Sequence, residues 1–144
     1  MFTVSSFSFL DKSRTEIAFD IRRKVFVDEQ HVSREEEYDQ FENTSTHYLV
    51  YRDDAPVGTA RWRKTDTGIK LERFAVLKAH RNSGAGTVLL DQVLEDVASS
   101  EQQIYLHAQI TAVNFYLKAD FVIEGDEFTE AGIRHFKMTL KRKH

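Results

Sequence analysis

The residue types and spacing best suited to chemistry fall in one short stretch, Arg81-Asn82-Ser83-Gly84-Ala85-Gly86. Glycine tolerates positive φ and lets backbone N–H groups come close to an anion, while a helix beginning there adds the positive end of its dipole. Between a strand and a helix, Arg-x-x-Gly-x-Gly is therefore a phosphate-binding design. Two nucleotide-site alternatives fail on detail. The chain has no Gly-Lys-Ser/Thr for a P-loop, and Leu89 stands where a dinucleotide fingerprint needs its third glycine. Taken alone, the six residues also read as a plain turn leading into a helix. His31, His47, His80, His107, His135 and His144 invite a metal reading, but no two are four apart and there is no Cys. No metal is expected.

The elements that must position this loop follow from hydrophobic periodicity. Ser13-Arg-Thr-Glu16 has capping-box form, and Ile17, Ala18, Ile21 and Val25 recur at helical spacing. This predicts a first helix to about Phe26, with a short strand before it. Ser33-Arg-Glu-Glu36 repeats the pattern ahead of Glu37, Tyr38, Asp39 and Phe41, giving a short polar helix. His47 to Tyr51 and Val57 to Arg63 read as a hairpin across Arg52-Asp-Asp-Ala-Pro56, and Thr65-Asp-Thr-Gly68 supplies the next turn.

Ile69 to Leu77 reads as a central strand. Alternation puts Ile69, Leu71, Ala75 and Leu77 on one side and Lys70, Glu72, Phe74 and Val76 on the other. After the glycine loop, Leu89, Leu90, Val93, Leu94 and Val97 form an apolar stripe, predicting a helix over 85–99. A strand through Ile104, Leu106 and Ala108, a helix around Ala112 to Leu117, and a strand at Phe121-Val-Ile come next. Phe136, Met138 and Leu140 alternate with His135, Lys137 and Thr139 in a closing strand. The fold class is α/β or α+β around a mixed sheet.

At 144 residues and 41% hydrophobic, the chain suffices for one core, so a single domain over 1–144 is expected. A formal charge of −3 argues against nucleic acid and anionic lipid as partners. The absence of Cys excludes disulfides and thiol catalysis. Met1 to Leu10 has neither a basic n-region nor a sustained apolar run, so a cytoplasmic protein with no membrane partner is expected.

Leu71-Glu-Arg-Phe-Ala-Val76 before the loop, and Asn114-Phe-Tyr116 with Phe121 after it, together resemble the GNAT superfamily of N-acetyltransferases. Arg22-Arg-Lys-Val-Phe-Val-Asp-Glu-Gln30, Leu106-His-Ala-Gln109, Gly125-Asp-Glu-Phe128 and Gly132-Ile-Arg-His135 are similar to its ElaA-like branch, so the resemblance spans nearly the whole chain. It implies a mostly antiparallel mixed sheet flanked by helices, in which the strand ending near Val76 bulges and splays from a parallel strand at 103–109. Acetyl-CoA would be the co-substrate. Phe74, Ala75 and Val76 would pair with its pantetheine arm, Arg81, Asn82, Ser83, Gly84, Ala85, Gly86 and Thr87 would wrap its pyrophosphate, and Asn114 and Lys118 would touch its distal part. The family usually has Gly before the Phe that follows this helix; here it is Asp120, which tolerates the left-handed conformation at a cost of about 1 kcal/mol.

The resemblance also implies the reaction: acetyl transfer to a primary amine by direct attack on the thioester. An alkylammonium with a pKa near ~10.4 must first lose a proton, and Glu72 or His107 could take it directly or through water. The Val76 N–H would stabilise the developing oxyanion, and Tyr116 matches the family's thiolate-protonating tyrosine. Glu29, Gln30, Gln109 and His135 are candidate acceptor-pocket residues by the same resemblance. Homodimers are common in the family. The competing readings are a non-catalytic acyl-CoA-binding or protein-interaction module on the same fold, and a nucleotide-dependent enzyme, which the missing Lys and Asp signatures disfavour.

Overall fold

The computed structural model describes residues 1–141, so His144 lies outside the described residues. Eight strands form one sheet: β1 Phe2–Phe7, β2 Thr46–Arg52, β3 Ala55–Thr65, β4 Gly68–Val76, β5 Ile104–Gln109, β6 Phe121–Ile123, β7 Phe128–Glu130 and β8 Ile133–Leu140. The order across the sheet is β1-β2-β3-β4-β5-β8-β6, with β7 also on β8. Every pairing is antiparallel except β4 with β5. That parallel pair spans only Ile69 to Leu71 against Ile104 to Leu106.

Helices cover both faces. On one, α3 (Ala85–Val97) buries Leu89, Leu90, Val93 and Val97 against Tyr48, Val50, Leu71 and Leu106, and α4 (Val113–Leu117) adds Tyr116. On the other, α1 (Lys12–Arg22) buries Ala18 and Ile21 against Leu49 and Ala75. The cap of α1 is Asp11, whose carboxylate accepts from the Arg14 N–H at 3.1 Å and from its guanidinium at 2.8 Å. Ser13 therefore lies inside the helix, because a charged acceptor two residues earlier outcompetes its hydroxyl. Ser33 caps α2 (Arg34–Glu37) as its spacing predicts, accepting from the Glu36 N–H at 3.2 Å.

Beyond Arg22 the first helix continues as a π-helical segment, Arg23–Glu29, three residues past the end expected from its apolar pattern. The wider winding keeps Val25 and Phe26 both buried and brings Glu29 and Gln30 to the sheet's opened edge. At the far end of α4, Asp120 adopts φ 70, and its carbonyl accepts from the Lys141 N–H at 2.8 Å. The helix ends there as a glycine would end it.

The main departure from simple alternation lies in β4. Thr59 pairs with Ala75 but Arg61 pairs with Glu72, so one extra residue is accommodated near Arg73, whose φ is 59. This bulge exchanges the faces of the strand. Ile69 and Leu71 share the α3 face with Phe74 and Val76, whereas Ala75 and Leu77 join the α1 face. The strict alternation from 69 to 77 is thereby corrected: Ala75 and Leu77 are opposite Ile69 and Leu71.

Candidate active site

The bulge also reorients the backbone. The Leu77 N–H donates to the Val57 carbonyl at 2.8 Å, and in that register Gly58 and Val76 are a non-hydrogen-bonded pair. The Val76 N–H consequently points away from β3, toward the side where β5 has already diverged. An unpaired donor at the splay between two parallel strands is what a carbonyl-bearing ligand requires.

One end of the splay opens on a small cavity of about 210 Å³ lined by Val76, His80, Arg81, Asn82, Gly84, Gly86, Thr87 and Phe115. Of the glycine-loop residues, Arg81, Asn82, Gly84, Gly86 and Thr87 line it, and Ser83 and Ala85 do not. Gly84 caps α3 at φ 96, and the first-turn N–H groups of α3 face away from its own carbonyls. Ser83 works within the turn, donating to the His80 carbonyl at 2.5 Å and accepting from the Ala85 N–H at 3.4 Å, while Ala85 is buried in the core. Arg81 grips both Glu29 carboxylate oxygens, at 2.5 and 2.6 Å, and its Nε donates to the Val76 carbonyl at 3.0 Å. Glu29 therefore belongs to the loop rather than to an acceptor pocket. Asn114 and Lys118 are exposed at α4 and line neither cavity.

On the other side is a cleft of about 410 Å³. Gln30, Glu72, Phe74, His107, Gln109, Tyr116 and His135 all line it, so seven residues singled out in the sequence meet at one place. The Gln109 amide donates to the Gln30 side chain at 2.8 Å, tying β5 to the π-helical segment. Phe74 and Tyr116 face this cleft while Val76 and Phe115 face the smaller cavity, so neighbouring residues form the wall between the two. Tyr116 sits among Phe74, Phe115 and Phe121 with ring centroids 5.1 to 6.1 Å away, and burial raises its phenol pKa well above the usual range.

Glu72 is unsuited to accept a proton. Its carboxylate meets Arg61 at 3.0 Å, Arg63 at 2.7 Å and Lys70 at 3.2 Å. Burial alone would raise its pKa, but Arg61, Lys70 and Arg63 outweigh that and hold it down to about 2. The same buried network joins Arg61 to Asp39 at 2.7 Å and to Glu42 at 2.8 Å, and Arg22 to Glu37 and Glu42. Sequence patterns did not reveal it, because its members come from five separated segments.

His107 is differently placed. Its Nδ1 lies 3.1 Å from a Glu130 oxygen, and the His135 Nε2 lies 3.8 Å from the other oxygen. Glu130 stands at the end of β7, a three-residue strand too short to leave a periodic signal. The sign that could have revealed it is Glu-Ala-Gly-Ile at 130–133, a two-residue turn between β-forming residues.

The acetyltransferase (GNAT) domain family matches residues 10–142. YjcF, an uncharacterized N-acetyltransferase of Bacillus subtilis (strain 168), is 45% identical over 124 residues, covering 84% of this chain and 88% of that protein. The crystal structure of Escherichia coli ElaA superposes with a TM-score of 0.87 at 25% identity, covering 98% of this chain and 100% of the other. A GNAT family acetyltransferase from Elizabethkingia anophelis, solved with acetyl-CoA bound, shares the fold at a TM-score of 0.67 and 17% identity over 96% of this chain and 94% of its own. With its splayed parallel pair, glycine loop and two adjoining cavities, this chain belongs to the GNAT acetyltransferase family.

Proposed function

We propose that the chain moves an acetyl group from acetyl-CoA to a primary amine by direct attack on the thioester. The observation that carries this reading is the free Val76 N–H at the splay, on the wall between the glycine-loop cavity and the acceptor cleft. The residues present fit the co-substrate: an anion-binding helix start in one cavity, backbone of Phe74 to Val76 along the splay, and a polar cleft beyond it. The Elizabethkingia acetyltransferase, which shares this fold and was solved with acetyl-CoA bound, supports the same assignment.

In this reading the N–H groups of Gly84 to Thr87 and the side chain of Asn82 hold the pyrophosphate. Asn114 and Lys118 reach the distal part of the co-substrate from the exposed side of α4. Arg81 must leave Glu29 to join them. Phe74, Ala75 and Val76 align the pantetheine arm, and the Val76 N–H donates to the thioester oxygen as negative charge develops. His107 takes the amine proton, and Gln30, Gln109 and His135 orient the acceptor. Tyr116 donates a hydrogen bond to the departing sulfur. Bound acetyl-CoA supplies an activated acyl carbon, and the products are an amide and the free thiol.

Titration calorimetry with acetyl-CoA, followed by thiol release with a library of primary amines, tests the proposal. Saturable binding and amine-dependent release are expected. No binding at high micromolar acetyl-CoA would overturn it, and tight binding without release for any amine would assign the chain a non-catalytic acyl-CoA-binding role.

A further inference from the structure

We propose that Glu130 is the positioning residue for the proton acceptor of the reaction, holding His107 in the tautomer whose Nε2 is free. This rests on the acetyl-transfer reading above. An ionised carboxylate only accepts hydrogen bonds, so at 3.1 Å from Glu130 Oε1 the His107 Nδ1 must carry the hydrogen. In a neutral imidazole the lone pair is then on Nε2, the atom a general base needs. Glu130 is held ionised mainly by its hydrogen bond from His107, against the effect of burial, with further help from the Lys70 charge.

The local structure serves this contact. β7 and β8 meet in a two-residue turn with φ 51 at Ala131 and φ 75 at Gly132, the positive pair of a tight hairpin. Because side chains alternate, Phe128 and Glu130 leave β7 on one face. Phe128 sets its ring at 77° to His107, with centroids 4.9 Å apart, and stacks on His135 at 5.8 Å. His135 Nδ1 donates to the Ile133 carbonyl at 2.7 Å, leaving its Nε2 toward the second Glu130 oxygen. One carboxylate therefore sits between two imidazoles. Both imidazoles line the acceptor cleft.

Titratable groups near His107 include Lys70 and Glu72 from β4, Tyr105 on its own strand, and His135 and Lys137 from β8, while Glu37 and Asp39, which also line the cleft, are engaged by arginines. Glu72 is already saturated by cations and Lys137 lies against the Tyr105 ring. Glu130 is thus the carboxylate that answers to His107. In the reaction the amine nitrogen forms its bond to the acyl carbon and the carbon–sulfur bond breaks. The amine proton passes to His107 Nε2, Glu130 stabilises the imidazolium, and His107 returns the proton to sulfur to give the thiol.

The test measures thiol release from acetyl-CoA with spermidine, tyramine and lysine in the wild type, Glu130→Gln, Glu130→Asp, His107→Ala and the Glu130→Gln/His107→Ala double variant. In parallel, the His107 tautomer is read by ¹⁵N imidazole NMR. Glu130→Gln is expected to lower kcat by about 10- to 100-fold with acetyl-CoA KM unchanged. Glu130→Asp should recover part of the rate. In the His107→Ala background Glu130→Gln should cost nothing more, and the wild-type His107 should carry its hydrogen on Nδ1. An equal loss in the His107→Ala background, an unchanged kcat, or a hydrogen on Nε2 would each overturn the proposal. Should the wild type release no thiol with any amine, the acetyl-transfer reading falls and the tautomer alone decides the His107–Glu130 contact.

Discussion

At the scale of single residues, surroundings decide what the side chains of Glu72 and Tyr116 can do. Glu72 is surrounded by Arg61, Arg63 and Lys70 and is held down to about 2, so it lacks the basicity to deprotonate an amine near neutral pH. Glu72→Gln should therefore act on stability. It leaves buried guanidinium groups short of a partner, and urea unfolding should register a loss of about 3–5 kcal/mol. The folded fraction should keep kcat within about tenfold of wild type, well short of the 10²–10⁴ carried by a general base. Tyr116 is also redefined by its surroundings. A phenol near ~10 protonating a thiolate near ~8.5 already runs uphill by about 2 kcal/mol. Burial raises the phenol further, so in the proposed reaction its role is that of a hydrogen-bond donor rather than an acid. Tyr116→Phe should lower kcat by roughly 10- to 100-fold, the value of one hydrogen bond to a charged group, with acetyl-CoA affinity by calorimetry unchanged.

At the scale of elements, the site depends on where β4 and β5 stop pairing. Gly68 opens β4 at φ 143, and a Cβ there would lie 2.2 Å from the Gln103 carbonyl oxygen. That carbonyl accepts the Ile69 N–H at 2.8 Å, the bond with which the parallel pair begins. Gly68→Ala must therefore push the strands apart, and a stability loss of more than about 2 kcal/mol in denaturant unfolding is expected, together with weaker acetyl-CoA binding. Most elements were legible because their signals are local. The α3 stripe, the Ser33 cap and the β2–β3 hairpin each follow from a few neighbouring residues. The glycine loop was also readable in place, and Asp120 takes the left-handed turn expected of it. What escaped depends on distant partners. The bulge at Arg73 answers to ion pairs with Glu37 and Asp39, the π-helical segment to the fit of Val25 and Phe26, and β7 to a strand it meets only across a turn. The role of Glu130 was invisible for the same reason.

At the scale of the whole molecule, the buried ion network joins α1, α2 and the segment around Glu42 to β3 and β4, so it fastens the α1 side of the fold to the sheet beneath the cleft. Its energy should appear in the pH dependence of stability. Asp39 and Glu72 would be raised by burial, but the Arg61 hydrogen bond on Asp39 and the Arg61 charge on Glu72, with their neighbours, bring both down to about 2 from 3.8 and 4.5. A carboxyl whose pKa is lower folded than unfolded binds more protons when unfolded, so its contribution is complete above the unfolded value and is lost as the pH falls toward the folded one. For Glu72 the difference corresponds to about 3 kcal/mol. Glu37 has the opposite sign, since burial outweighs Arg22 and Arg73 and raises it. It therefore offsets part of the loss. Urea unfolding from pH 6 to pH 2 should show stability declining gently at first, because burial lowers the pKa of His47 from 6.5 and the folded state resists its protonation, and then falling steeply below about pH 4.5. In Glu72→Gln the fall should be shallower by about the Glu72 share, and an equally steep fall in that variant would place the acid-labile energy elsewhere in the molecule.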